Sequence, residues 1–291
     1  MPAPRPQPPL DGVSHHEVQA GAVRLHYAEM GAGAGPPVVL LHGWPQHWYC
    51  WHRIMPALAA RHRVLAFDLR GFGWSEAPAG GYDKETLARD VLAALDALGI
   101  DRVRLVAHDW GGVAGFHMCL LAPERIEGYV ALNTGHLWPR PSRTVARHIW
   151  RLYWYQSLMM VPGLSRVTIR LVAGLIGRVC RSYGAWDART AATYLNQLRD
   201  PARVDATAKL YRAFMLGELP ANLRGRYRDT PLTVRTLMLH GRGDPVISPR
   251  LVEGFAGRAD DFELVLLPRV GHFSPEEAPD EVLRRIEAFF G

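Results

Sequence analysis

Short apolar runs alternate with helical stretches through the first 134 residues. Residues 23–29 alternate apolar and polar positions like a strand, and 38–41 and 64–67 are short continuous apolar runs. Residues 84–98 carry Leu87, Val91, Leu92, Leu95 and Leu98 at helical spacing, with Gly99 as a stop. Residues 103–107 are again apolar, 112–121 read as a helix ended by Pro123, and 129–132 are strand-like. The rhythm resumes late: 235–239 and 262–267 read as strands and 280–290 as a closing helix. Between them, about residues 136–228 show helical periodicity only. Such alternation predicts an α/β fold, a mostly parallel, twisted sheet flanked by helices and interrupted by a helical insertion. The expected organisation is a core in two parts, 1–135 and 229–291, with the insertion at 136–228.

Composition narrows the class. The chain has 291 residues, 48% of them hydrophobic and 21% charged, enough to bury a core and unlike a disordered chain. Three cysteines, odd in number, far apart and without a C-x-x-C, argue against a disulfide framework or a thiolate zinc site and fit a reducing compartment. The first ten residues are proline-rich where a signal peptide would be apolar, and are expected to drape loosely. The most apolar stretch, around 158–176, is interrupted by Arg166 and Arg170. A soluble, cytoplasmic protein is expected.

The net charge of +6 is uneven: between His136 and Thr230, fifteen Arg plus Lys209 face five acids. These arginines fall at helical spacing among Leu, Ile, Trp and Met, which reads as a solvated helix face in preference to a nucleic-acid or membrane contact. Neither is expected as a partner, and a homodimer is left open. The run Gly31-Ala32-Gly33-Ala34-Gly35 precedes a strand where a phosphate loop would open a helix, so a hairpin-like turn is expected there. Thirteen histidines show no clustered ligand spacing, so no metal is expected.

The chemistry begins where the run 103–107 enters His108-Asp109-Trp110-Gly111-Gly112 and then a helix. This is a strand–turn–helix elbow with aspartate at the position a serine holds in an esterase. On its own, Asp109 is equally a helix N-cap. Two further elements change the balance. His240-Gly241-Arg242-Gly243-Asp244 puts an acid just beyond a late strand, and Gly271-His272-Phe273 puts a histidine after the next. Nucleophile, acid, histidine, each after a strand, is the chain order of a hydrolase triad. Upstream, Leu41-His42-Gly43-Trp44-Pro45 follows a strand, and its loop would bring the Trp44 amide beside that of Trp110 as two oxyanion donors.

With these motifs and the turn Arg70-Gly71-Phe72-Gly73-Trp74-Ser75, nearly the whole chain resembles the α/β-hydrolase fold family, in particular its epoxide hydrolase and haloalkane dehalogenase branch, and the epoxide hydrolases most. One departure is Ala107, where glycine is common. The resemblance implies a helical cap over the site and no cofactor. Asp109 attacks a saturated carbon to form an ester on itself, and His272, oriented by Asp244, activates water against that ester. It also implies two cap tyrosines that donate to the epoxide oxygen. Tyr155-Gln156, followed by Pro162-Gly163, resembles the first such motif, with Tyr153 as competitor, and Tyr211-Arg212 resembles the second. Tyrosines in aromatic helices are otherwise core or rim residues. His42, Tyr153 and Trp154 are placed provisionally at the substrate pocket, His42 also as a brace for the oxyanion loop. The implied substrate is a small apolar epoxide. The alternatives are a haloalkane dehalogenase using the same triad, in which the Trp110 indole N–H would donate to a halide but against which Trp44 after His-Gly and Trp110 in place of an arginine after Asp109 weigh, and a non-catalytic small-molecule-binding protein of the same fold.

Overall fold

In a computed structural model that describes residues 6–139, 142–161, 163–252, 255 and 258–291, eight strands form one sheet. The side chains of residues 144, 145, 148, 149, 151–155 and 182 lie outside that description. The strands are β1 (Ser14–Ala20), β2 (Val23–Met30), β3 (Val38–Leu41), β4 (Val64–Phe67), β5 (Val103–His108), β6 (Ile126–Leu132), β7 (Thr236–Gly241) and β8 (Phe262–Leu267). Their order across the sheet is β1-β2-β4-β3-β5-β6-β7-β8. β2 is antiparallel to β1 and β4, and all pairings from β4 to β8 are parallel.

The central strands are apolar throughout because both faces of the sheet are covered. Val39, Leu41, Leu65, Phe67 and Leu105 point into one core layer, with Leu87 and Val91 of helix α2 (Lys84–Ala97) and Phe116 of α3 (Asp109–Leu121). The alternate residues Val38, Leu40, Val64, Ala66 and Val106 point into the other. There they meet Leu58 of α1 (Met55–Ala59) and Val282, Ile286 and Phe289 of the last helix. Asp83 caps α2 by accepting from the Thr86 amide at 2.9 Å. No helix among the described residues is long and apolar enough to cross a membrane.

Between β6 and β7 lie α4 (Arg143–Met160), α5 (Ser165–Ser182), α6 (Ala188–Asn196), α7 (Pro201–Ala213) and α8 (Leu219–Leu223). A π-helical turn, Phe214–Glu218, joins α7 to α8. After β8 come α9 (Ser274–Glu277) and α10 (Pro279–Phe290).

Two expectations need correction. Gly31–Gly35 is not a hairpin turn, because β2 pairs with β4 and β3 lies beyond β4. The loop crosses under the end of α1, where a Cβ on Gly31 would come within 2.3 Å of the His62 carbonyl oxygen. The N-terminal region is also more structured than its prolines suggest. His15 and His16 belong to β1, a mostly exposed edge strand with only Val18 and Ala20 turned inward. Ahead of it, Gln7 receives the Trp48 indole N–H at 3.2 Å.

Candidate active site

β5 passes into α3 through Asp109, whose φ of 49° lies in the left-handed region that non-glycine residues rarely occupy. Such a conformation costs about 1–3 kcal/mol and persists only where the surroundings impose it. They do so here. The Trp44 amide donates to Asp109 Oδ2 at 2.9 Å, and the Trp110 amide also bonds the carboxylate. The loop after β3 comes so close that a Cβ on Gly43 would stand 2.3 Å from Asp109 Cβ. Glycine is therefore required at 43 by contact with the carboxylate-bearing residue.

The other two residues of the expected triad arrive from neighbouring strand ends. Asp244, in the turn after β7, accepts the Val246 and Ile247 amides on Oδ1 at 2.8 and 2.9 Å. Its Oδ2 lies 2.9 Å from His272 Nδ1, in the loop after β8. His272 Nε2 then points at Asp109 Oδ1, 3.7 Å away. Donation from Nδ1 to Asp244 leaves Nε2 as the nitrogen facing Asp109.

Burial and charge oppose one another here. Burial raises the Asp109 pKa, while the His272 charge and the Trp44 and Trp110 amides only partly counter it. Burial also raises that of Asp244, but His272, His240 and Asn133 outweigh it and hold the group at about 2. For His272, burial lowers the pKa and the two carboxylates, Asp244 first, more than reverse this, to about 9. The two carboxylates thus favour the protonated form of the His272 ring.

The sequence-predicted residues divide as follows. Asp109, Trp44, Trp110, Tyr211 and His272 all line one cavity of about 170 Å³. Asp244 stands behind His272, outside the cavity wall. Most of the remaining wall is apolar, from Val113, Ile176, Phe214, Met215, Leu219 and Ile247. An apolar cavity of roughly 150 Å³ is enough to admit a benzene ring. Tyr211, on α7, stacks edge-on against Trp44 and Trp110, at 5.7 and 5.4 Å between ring centres. The Trp44 indole N–H is committed to Thr207 Oγ1 at 3.2 Å. Tyr153, Trp154 and Tyr155 fall on α4, and their side chains lie outside the described residues. His42 does not line the cavity. Its Nδ1 donates to the Gly43 carbonyl at 2.9 Å and its Nε2 accepts the Leu69 amide at 3.0 Å, so it braces the loop.

Several supporting residues were assigned no role from the sequence. Asn133, at the end of β6 with φ 43°, donates from one amide nitrogen to Asp244 Oδ2 and to the Gly271 carbonyl, at 2.9 and 2.8 Å. His108 Nε2 donates to the His272 carbonyl at 2.8 Å. Asn222 lines the cavity, and its Oδ1 is buried with no partner among the described residues. Lys84, fully buried, reaches Glu218 Oε2 at 2.9 Å and the Leu210 carbonyl at 3.0 Å, and its ammonium lies 4.4 Å from the centre of the Trp110 ring. It joins the elbow to the helix that bears Tyr211. A lysine at a helix start signals only a solvated side chain from sequence, because its partner lies 134 residues away.

Known proteins share this fold. The family model described as alpha/beta hydrolase fold matches residues 36–279. A soluble epoxide hydrolase of Corynebacterium sp. (strain C12) is 40% identical over 144 residues, 47% of this chain and 50% of that protein, so the match spans half the relative's length. The AB hydrolase superfamily protein YfhM of Bacillus subtilis (strain 168) is 27% identical over 281 residues, 93% of this chain and 95% of that one. Among solved structures, the epoxide hydrolase VrEH1 from Vigna radiata is similar at a TM-score of 0.82 and 26% identity, covering 96% of this chain and 98% of its own. Sheet order, elbow and family match together identify the chain as a member of the α/β-hydrolase fold family.

Proposed function

We propose that this chain hydrolyses small apolar epoxides to vicinal diols through an ester on Asp109. One observation carries the reading: a carboxylate, where an esterase has a hydroxyl, stands at the elbow between two amide donors and a histidine. A carboxylate is already a nucleophile at neutral pH and can attack a saturated carbon. The relatives named epoxide hydrolases support the substrate class.

In this reading Asp109 Oδ1 attacks one ring carbon and that carbon–oxygen bond breaks. The departing oxygen takes a proton from Tyr211, with Tyr155 as the second donor. Forming the ester removes the Asp109 charge. Since that charge helps hold the His272 pKa up, esterification lowers it, the ring gives its Nε2 proton to solvent (regained once the Asp109 carboxylate is restored), and Nε2 then accepts a proton from water. The hydroxide attacks Asp109 Cγ, and the oxyanion on Oδ2 is held by the Trp44 and Trp110 amides. Collapse releases the diol, whose second oxygen takes its proton from His272, and the Asp109 carboxyl returns a proton to the tyrosinate. No step calls on a metal or cofactor.

The Trp44 indole N–H, engaged by Thr207, removes one of the two indole donors that a departing halide could use. Turnover of styrene oxide to its diol, abolished in Asp109→Ala, is the expected result. Halide release from a bromoalkane with no diol from the epoxide would make the chain a dehalogenase. Absence of both would leave a binding protein.

A further inference from the structure

Helix α5 is apolar on two opposite faces. Its inner face carries Ile169, Ala173 and Cys180 into the core, and Ile176 reaches the cavity wall. On its outer face Leu164, Val167, Leu171, Leu175 and Val179 follow at three- and four-residue spacing and are 47% to 67% exposed. A continuous stripe this long, about 22 Å at ~1.5 Å per residue, is unusual on a surface that meets only water. Neighbouring helices do not cover it: α4, α6 and α7 all contact α5, yet these five residues stay exposed.

Charge identifies the occupant. α5 contains four arginines and no acid. Arg166 is paired with Asp205 at 3.1 Å, and Arg170 bonds the Leu198 carbonyl at 2.9 Å. Arg178 and Arg181 are exposed. Helical spacing puts Arg178 within the stripe and Arg170 and Arg181 along one edge. An apolar stripe edged by arginines is the pattern of a helix lying in the interface of an anionic bilayer. A second copy laid on the same stripe would set arginine against arginine, with no acid on α5 to meet them.

We propose that the outer face of α5 docks this protein on an anionic lipid surface. Spacing among Leu, Ile, Trp and Met suggested a solvated helix face with the apolar residues turned inward; Leu171, Leu175 and Val179 instead stand exposed beside the arginines. A docked α5 would leave the bilayer one helix diameter, about 10 Å, from the cavity that Ile176 lines. That closeness suits an apolar substrate partitioned into lipid, a consequence that rests on the function proposed above.

The test is sedimentation of the full chain with vesicles of phosphatidylcholine alone and of phosphatidylcholine with phosphatidylglycerol, without substrate. The wild-type chain is expected to sediment with the anionic vesicles only, and less so as salt is raised. Leu171→Glu combined with Leu175→Glu should weaken this by roughly tenfold or more. Arg178→Glu combined with Arg181→Glu should abolish the preference for anionic lipid. Turnover of a water-soluble epoxide is expected to be unchanged in both variants and reports separately on the catalytic reading. No sedimentation with anionic vesicles, or equal sedimentation of the leucine variant, would overturn the proposal. So would a dimer seen in analytical ultracentrifugation that the leucine substitutions break, which would assign the stripe to a second copy.

Discussion

His272 Nε2 stands 3.7 Å from Asp109 Oδ1, beyond hydrogen-bond length, while its Nδ1 is bonded to Asp244 at 2.9 Å. The ring is thus anchored on one side and faces Asp109 across a gap on the other. Charge attraction between the two is retained, and Asp109 Oδ1 is left unbonded by the ring.

That relationship fixes the direction of a titration shift. Asp109 is one of the charges that hold the His272 pKa at about 9, so Asp109→Asn should lower it. A raised histidine pKa contributes stability that is complete below the ordinary value of 6.5 and is lost as pH rises through about 9. The variant should lose that contribution at lower pH. Following the His272 ring protons by NMR checks this, and an unmoved midpoint would mean that the two groups do not interact.

Tyr211, on α7, is the described hydroxyl residue on the cavity wall that Asp109 shares. Tyr211→Phe should slow ester formation by roughly 10²–10⁴, the range for one positioned acid. Rapid-mixing measurement of the first alkylation step, before water attack, is the appropriate readout. An unchanged rate would remove Tyr211 from the reaction.

Lys84 and Glu218 form a buried ion pair behind Trp110. Lys84→Met leaves Glu218 without its counter-charge and should destabilise the fold by about 3–5 kcal/mol. Lys84→Met combined with Glu218→Gln should cost much less, because no buried charge remains. Urea unfolding of the two single variants and the double variant measures the coupling; additive effects would mean the pair is not coupled.

Glu276, fully buried, receives Tyr194 Oη at 2.6 Å and the Trp186 indole. Its Oε2 is 2.5 Å from the Gln46 side-chain amide. Gln46 Oε1 meanwhile has no partner among the described residues. Gln46 Nε2 is the donor to Oε2, so three donors partly offset the burial of this carboxyl. Burial pushes its pKa up to about 8 from 4.5, so the folded state holds a proton that the unfolded chain gives up. This contribution to stability is complete below pH 4.5 and drains away as pH rises to about 8. The stability of the wild type relative to Glu276→Gln should therefore fall across that window. A pH-independent difference would show an ionised Glu276.

The sequence rendered strands faithfully where apolar residues run together, whether buried on both faces, as in β3 and β4, or partly exposed, as in β8. β3, β4 and β8 fall at the bounds their apolar runs predict, because nothing but a covered strand accounts for Val38-Val39-Leu40-Leu41. β1 was illegible because an edge strand with two inward residues looks polar. The positions of Asp109, Asp244 and His272 could be read because each follows a strand. Asn133 and Lys84 could not, because they act through partners more than a hundred residues away. His42 was readable as a brace and not as a pocket residue, since its ring is turned to the Leu69 amide.

The most direct test of the central claim is the intact mass of His272→Ala after exposure to styrene oxide. The account predicts that this variant still forms the ester and does not release it, giving an added mass of one epoxide that peptide mapping locates on Asp109. An unmodified protein, or an adduct on any other residue, would contradict it.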